Sequence, residues 1–139
     1  MATNTQFSIA VHIRARLAYG CGNDMTSAKL ASSVNTSPSF VRRILAKLSK
    51  AGPVETATGK AGKCWLAKET KEISLLEIYR AVDAPKVFAI HDYSEQKGCP
   101  VSCHIKAALD KALGKTQKAL ETALDDLTLA QIVSDVKRE

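Results

Sequence analysis

Apolar residues return every three or four positions along most of this chain, in blocks that end at glycine, proline or a capping residue. Phe7, Ile9, Ala10, Ile13, Leu17 and Ala18 predict an amphipathic helix over Gln6 to Tyr19, closed at Gly20 or Gly22 because glycine suits the left-handed cap position. Thr26 is placed to cap a short helix, Ser27 to Val34, that buries Ala28, Leu30, Ala31 and Val34. Asn35-Thr36 then leads to Ser37-Pro38, an N-cap followed by proline at the first helical position, where a missing N–H costs nothing. From Pro38 to Lys50, Val41, Ile44, Leu45 and Leu48 share one face, while Ser39, Arg42, Arg43, Lys47 and Lys50 fall largely on the other. Two helices a few residues apart, the second short, capped and basic outside, meet the demands of a helix-turn-helix.

Beyond Gly52 the helical period lapses. Val54 to Thr58 and Cys64 to Ala67 flank the turn Gly59-Lys60-Ala61-Gly62-Lys63, which predicts a two-stranded hairpin. Its tip joins two glycines, which let backbone approach DNA closely, to two lysines that neutralise phosphates; that is what a wing requires. In the segment Ile73 to Val82, Ser74 and Glu77 form a reciprocal capping box for another short helix. A loop from Asp83 to Gly98 leads to Cys99-Pro100, and a stripe then runs through Val101, Ile105, Leu109, Leu113, Leu120, Leu124 and Leu127. It predicts a helix of about seven turns with more apolar face than so small a domain can cover, and hence a partner helix from a second subunit. Thr128 can cap a final turn reaching Val133. The expected fold is mostly α with a small β-hairpin wing. Residues 1–83 would form a winged helix-turn-helix domain, 84–99 a connecting or sensor loop, and 100–139 the dimerisation helix and C-terminal turn.

Composition narrows this further. At 139 residues and 45% hydrophobic, the chain can bury one core and not two. The 20 Lys and Arg against 14 Asp and Glu give a net charge of +6, and the excess is clustered. Lys29, Arg42, Arg43, Lys47, Lys50, Lys60, Lys63, Lys68 and Lys71 face only Glu55 and Glu69 in that stretch, an electrostatic footprint suited to a polyanion. No apolar run reaches the length of a membrane span, and Met1 to Phe7 lacks the pattern of a signal peptide, so no membrane partner and a cytoplasmic location are expected.

Cys21, Cys64, Cys99 and Cys103 are read as thiols and not as a disulfide framework. Cys21 and Cys64 suit packing. Cys99, just before Pro100, would sit at the N-terminal end of the long helix, where the helix dipole and unpaired N–H groups stabilise a thiolate. It is the redox-switch candidate, with Cys103 one turn on as a resolving thiol if that turn can distort. As metal ligands Cys99, Cys103 and His104 are weak candidates, because clusters and structural zinc want four donors. No cofactor is therefore expected, an iron–sulfur cluster needing donors from both subunits. An enzyme is not expected either, since the adjacent Cys103 and His104 point about 100° apart on a helix and cannot form a dyad.

The residues as a set resemble the Rrf-two family of bacterial winged-helix regulators. The likeness is carried by Ser37 to Leu48, Ala51-Gly52-Pro53-Val54, Gly59-x-x-Gly62, Leu66-Ala67, Ile73 to Val82 and Cys99-Pro100-Val101 with the helix after it. Within the family the chain is similar to the YwnA-like branch, whose members lack a complete cluster-ligand set. It departs from the family at Pro53, where leucine is usual, and at Lys63-Cys64, where a second glycine and an aromatic are usual, which affects the wing. The resemblance implies a dimeric repressor with the third helix in the major groove, the hairpin as wing and the long helix as dimer interface. On the residues and the resemblance together, Ser37, Ser39, Arg42, Arg43 and Lys47 are expected to read or hold the major groove of a double-stranded operator, with Lys60 and Lys63 on backbone or minor groove. A regulator answering a small ligand or an iron–sulfur cluster, and a helical protein-binding adaptor, are the alternatives; salt-insensitive binding would mark the adaptor.

Overall fold

The computed structural model describes residues 5–19, 25–50, 54–56 and 64–138. Along the chain these form α1 (Gln6–Tyr19), α2 (Ser27–Val34), α3 (Pro38–Lys50), β1 (Val54–Thr56), β2 (Cys64–Leu66), a 3-10 turn (Thr70–Glu72), α4 (Leu75–Ala81), α5 (Pro100–Asp125) and α6 (Leu129–Lys137). They divide into two compact units, residues 1–84 with 124–139, and residues 85–123.

In the first unit α1 is the central helix, packed against α2, α3, α4, α6 and β2. Leu30 and Ala31 of α2, and Val41, Ile44, Leu45 and Leu48 of α3, bury their faces with Ala10 and Ile13 of α1. Ala28, expected inside, is exposed. It lies about 200° around the helix from Leu30, so an eight-residue helix cannot bury both. The strands pair antiparallel, Val54 opposite Leu66, Glu55 opposite Trp65 and Thr56 opposite Cys64, and the Cys64 N–H donates to the Met25 carbonyl at 2.8 Å. Cys64 is buried, as expected of a packing thiol, and burial pushes its pKa up.

Helix α4 starts with the expected capping box: the Glu77 N–H donates to Ser74 Oγ, and the Ser74 N–H to the Glu77 carboxylate. An equivalent box at Thr128 and Gln131 starts α6. The two helix starts are joined, since Leu75 N–H donates to the Leu127 carbonyl at 2.9 Å and Leu129 N–H to the Ile73 carbonyl at 2.8 Å. That junction seats Leu129 and Val133 in the core. Helix α6 runs to Lys137, well past the single turn expected.

One residue breaks the apolar pattern. Arg14 of α1 is fully buried, and its Nε and both terminal nitrogens have no hydrogen-bond partner among the described residues. Burial pulls its pKa down to about 10, while the Glu77 carboxylate opposes that shift. Glu77 is itself held by Lys68 Nζ at 2.8 Å and by its cap.

In the second unit, residues 85–99 run along the first turns of α5. Tyr93 Oη donates to the Ser102 carbonyl at 2.5 Å, Gln96 N–H donates to Ser102 Oγ at 2.8 Å, and Val87 N–H donates to Gln117 Oε1 at 3.1 Å. Gly98 takes a φ of 81°, which lets the chain reverse into Cys99. The 26 residues of α5 extend about 39 Å, and none of them is buried.

Candidate nucleic-acid interface

The helix-turn-helix is built on Asn35. This residue caps α2 in the left-handed conformation, at φ 65° and ψ 53°, and its N–H returns to the Ala31 carbonyl. Asparagine tolerates that conformation better than other residues with a Cβ, so the chain turns in two residues without a glycine. Thr26 Oγ1 accepts from Lys29 N–H at the start of α2, and Ser37 Oγ accepts from Phe40 N–H at the start of α3, both as the sequence implied.

On α3, the buried row Val41, Ile44, Leu45 and Leu48 leaves Ser39, Arg42, Arg43 and Lys50 exposed. Ser37 and Ser39 are exposed at its N-terminus, their hydroxyls 3.2 Å apart. Arg43 lies over the Phe40 ring at 5.2 Å from the centroid. Such stacking holds a guanidinium plane without using its five donors. Lys47 differs from the expectation of a free solvent-facing lysine. It is half-buried, and its Nζ donates to Gln6 Oε1 on α1 at 3.0 Å. One donor is thereby engaged and the other two remain. The i, i+3 spacing of Phe40 and Arg43 could have been read from the sequence, whereas nothing local signals a bond between Lys47 and a residue 41 positions away. Lys60 and Lys63, the turn that carries them, Pro53, Cys21, Gly20, Gly22 and Gly52 lie outside the described residues. Near the base of the hairpin, Trp65 on β2 is partly exposed and Lys68 pairs with Glu77.

The cysteine loop has its own geometry. Cys99 occupies the position before the first residue of α5, and its Sγ accepts from Ser102 N–H at 3.4 Å, as an N-cap side chain does. Cys103 N–H bonds the Cys99 carbonyl at 3.0 Å, and Cys103 Sγ donates to the Gln96 carbonyl at 3.6 Å. His91 stacks on Tyr93, with ring centroids 4.9 Å apart. Among the described residues no three His, Cys, Asp or Glu side chains gather as a metal-binding group, so Cys99, Cys103 and His104 do not form a three-donor set. Two sulfurs and one histidine fall short of the four donors that a cluster or structural zinc takes, so this loop does not by itself supply a complete set.

No helix among the described residues is long and apolar enough to cross a membrane. Residues 3–135 match the family model Rrf2, described as an iron-dependent transcriptional regulator. The chain is 35% identical over 133 residues to the protein named "Putative HTH-type transcriptional regulator YwnA" of Bacillus subtilis (strain 168), covering 94% of this chain and 96% of that one. It also resembles a crystal structure named "a putative DNA binding protein", at 32% identity and a TM-score of 0.73, with 91% of this chain and 97% of the other covered. A third likeness, to CymR (YrzC), the global cysteine regulator of B. subtilis, has a TM-score of 0.69 at 21% identity over 96% and 97% of the two chains, and bears on the fold alone. These matches are to transcriptional regulators with a winged helix-turn-helix, and not to enzymes.

Proposed function

Because the chain belongs to the Rrf2 family of DNA-binding transcriptional regulators, we propose that it works as a homodimeric repressor of a pseudo-palindromic operator, released when Cys99 is oxidised. The observation that carries the DNA-binding half is the exposed face of α3. Arg42 and Arg43 stand outside a helix whose opposite row is buried, immediately after the Asn35 turn. Arginine offers a planar fork of donors to guanine O6 and N7 and to phosphate. In this reading Ser37, Ser39, Arg42 and Arg43 enter the major groove, Lys47 contributes its two free donors beside Gln6, and Lys60 and Lys63 contact backbone or minor groove from the wing. Residues 1–83 bind DNA, 84–99 connect and sense, and the apolar stripe of α5, of which no residue is fully buried, pairs with a second copy.

The switch rests on Cys99 at the helix start. A thiolate there attacks a hydroperoxide; the O–O bond breaks, sulfur gains the oxygen as a sulfenic acid, and the displaced oxygen leaves as hydroxide or alkoxide and takes up a proton. The Cys103 thiolate then attacks the Cys99 sulfur, forming the S–S bond and expelling hydroxide. This second step requires the first turn of α5 to open, since Cys103 N–H is bonded to the Cys99 carbonyl. Opening that turn also releases Gln96 and Tyr93 from Ser102, which loosens the loop joining the two parts of the protein.

An anisotropy titration on DNA from the gene's own upstream region tests both halves. Reduced protein is expected to bind specifically, peroxide to abolish binding, and Cys99→Ser to bind equally before and after peroxide. Arg43→Ala is expected to lose about 1–3 kcal/mol of specific binding, and Lys50→Ala, at the far end of α3, less. Peroxide-insensitive binding removes the switch and keeps the regulator. Equal and negligible effects of the two substitutions remove the assigned face.

A further inference from the structure

A groove of about 630 Å³ lies in the first unit between α1, α2 and α6, away from the α3 face, and neither the DNA contacts nor the cysteines use it. That volume is in the range of small-molecule sites. Helix α1 contributes His12, Arg16 and Tyr19, which at i, i+4 and i+7 share one face; α2 contributes Ser33, and α6 contributes Val133 and Val136. We propose that this groove is an effector site for a small monoanion with a flat apolar body, an aryl carboxylate, held by Arg16.

Two contacts between helices bound the groove along α1. His12 Nε2 lies 3.1 Å from Ser33 Oγ, and Lys137 Nζ sits 5.7 Å from the centroid of the Tyr19 ring. His12 and Tyr19 are seven residues apart, or about 10 Å along the helix. A two-ring aromatic acid spans that length, whereas a docked helix or strand would be cut off at both ends. Arg16 lies between the two bridges and makes no hydrogen bond or ion pair among the described residues. Among the described residues no carboxylate lines the groove, and the Lys137 ammonium adds positive charge at the Tyr19 end. Tyr19 and Val136 stand 48% and 51% exposed, so an apolar ring between them removes surface from water that the fold leaves wet. Charge and apolar area together select an amphipathic anion over a cation or a sugar.

The groove is coupled to the helix-turn-helix through the His12–Ser33 contact, because Ser33 is in the last turn of α2 and α2 passes into α3 through Asn35. A ligand wedged between α1 and α6 bears on that contact and so on the placing of α3. This effector role rests on the DNA-binding reading, while occupancy of the groove does not.

Calorimetric and NMR titrations of the full-length protein with 1-naphthoate test the site without DNA. Saturable binding at one per chain is expected, with backbone amide shifts centred on α1 and α6. The matched amine, 1-naphthylmethylamine, and the alcohol, 1-naphthalenemethanol, are expected to bind at least about tenfold more weakly, and Arg16→Gln to weaken naphthoate at least about tenfold. Val136→Glu, at a half-exposed position, gives the same loss by repulsion should Arg16→Gln not fold. Failure to saturate by about 10 mM, equal binding of the amine, or naphthoate binding indifferent to both substitutions overturns the site. Operator titrations with saturating naphthoate then read the effector role. A change in Kd of about threefold or more in the wild type, absent in Arg16→Gln, supports it, and an unchanged Kd overturns it. Absence of operator binding in every state overturns the reading of α3 instead, and leaves the naphthoate titration to decide the groove.

Discussion

Arg14 carries a full charge into a volume otherwise filled by aliphatic side chains, and its guanidinium finds no hydrogen-bond partner among the described residues. A pKa lowered to about 10 expresses the same cost, because burial disfavours the charged form. For a base whose folded pKa lies below its unfolded one, the penalty is whole below the folded value and is relieved only as pH rises through the two values, here from about 10 upward. At neutral pH the penalty is therefore constant. Glu77 would not be stranded by loss of Arg14, since Lys68 and the Ser74 N–H already hold it. Arg14→Met, which fills a similar volume without a charge, is thus expected to stabilise the fold by about 1–3 kcal/mol, by analogy with buried ion pairs replaced by apolar residues. The gain should be equal at about pH 6 and pH 9. Urea melts measure it. A loss of about 3 kcal/mol or more, the size of a core truncation, would mean that Arg14 has a buried partner in solution, such as ordered water.

At the scale of elements, the proposed reading gives the start of α3 a part in folding and in binding at once, and the two can be separated. Ser37 Oγ accepts the Phe40 N–H, so Ser37→Ala is expected to cost about 1 kcal/mol of stability. Ser37→Asp keeps a capping oxygen and adds a charge that suits the helix dipole. It should melt like the wild type yet bind operator at least about tenfold more weakly, since a carboxylate then faces phosphates. Undiminished affinity in Ser37→Asp would move the DNA away from this end of α3. The element boundaries were legible wherever caps and periodicity are local: Ser37-Pro38, the Ser74 and Glu77 box, and the row from Val41 to Leu48 all stand where the sequence implied. What escaped the sequence depends on contacts distant along the chain. The length of α6 follows from its seat in the core through Leu129 and Val133, and the Lys47–Gln6 bond joins helices far apart in sequence. Arg14 was missed for a related reason. Helix α1 is enclosed on several sides, so a position that periodicity left unassigned lies inside.

For the molecule as a whole, the question is what covers α5. Leu113, Thr116, Leu120 and Ala123 of α5, with Leu127 just past its end, follow the 3-4 spacing of a coiled-coil seam, and no residue of α5 is fully buried. Val101 stands 67% exposed near its start. In the proposed dimer a second copy of α5 is the covering, which would also give the operator two recognition helices. Leu109→Glu with Leu120→Glu is then expected to give a monomer by sedimentation, with the helicity of the first unit retained. The salt dependence of DNA binding reads the same event independently. If Arg42, Arg43, Lys47, Lys60 and Lys63 of each protomer all meet phosphates, ten contacts give a slope of log K against log salt of about −9. The monomer, with five, should show about half that slope as well as weaker binding. A monomer that keeps the full slope would place all the contacts on one protomer and remove the dimer from recognition. A double variant that stays dimeric would move the interface off α5.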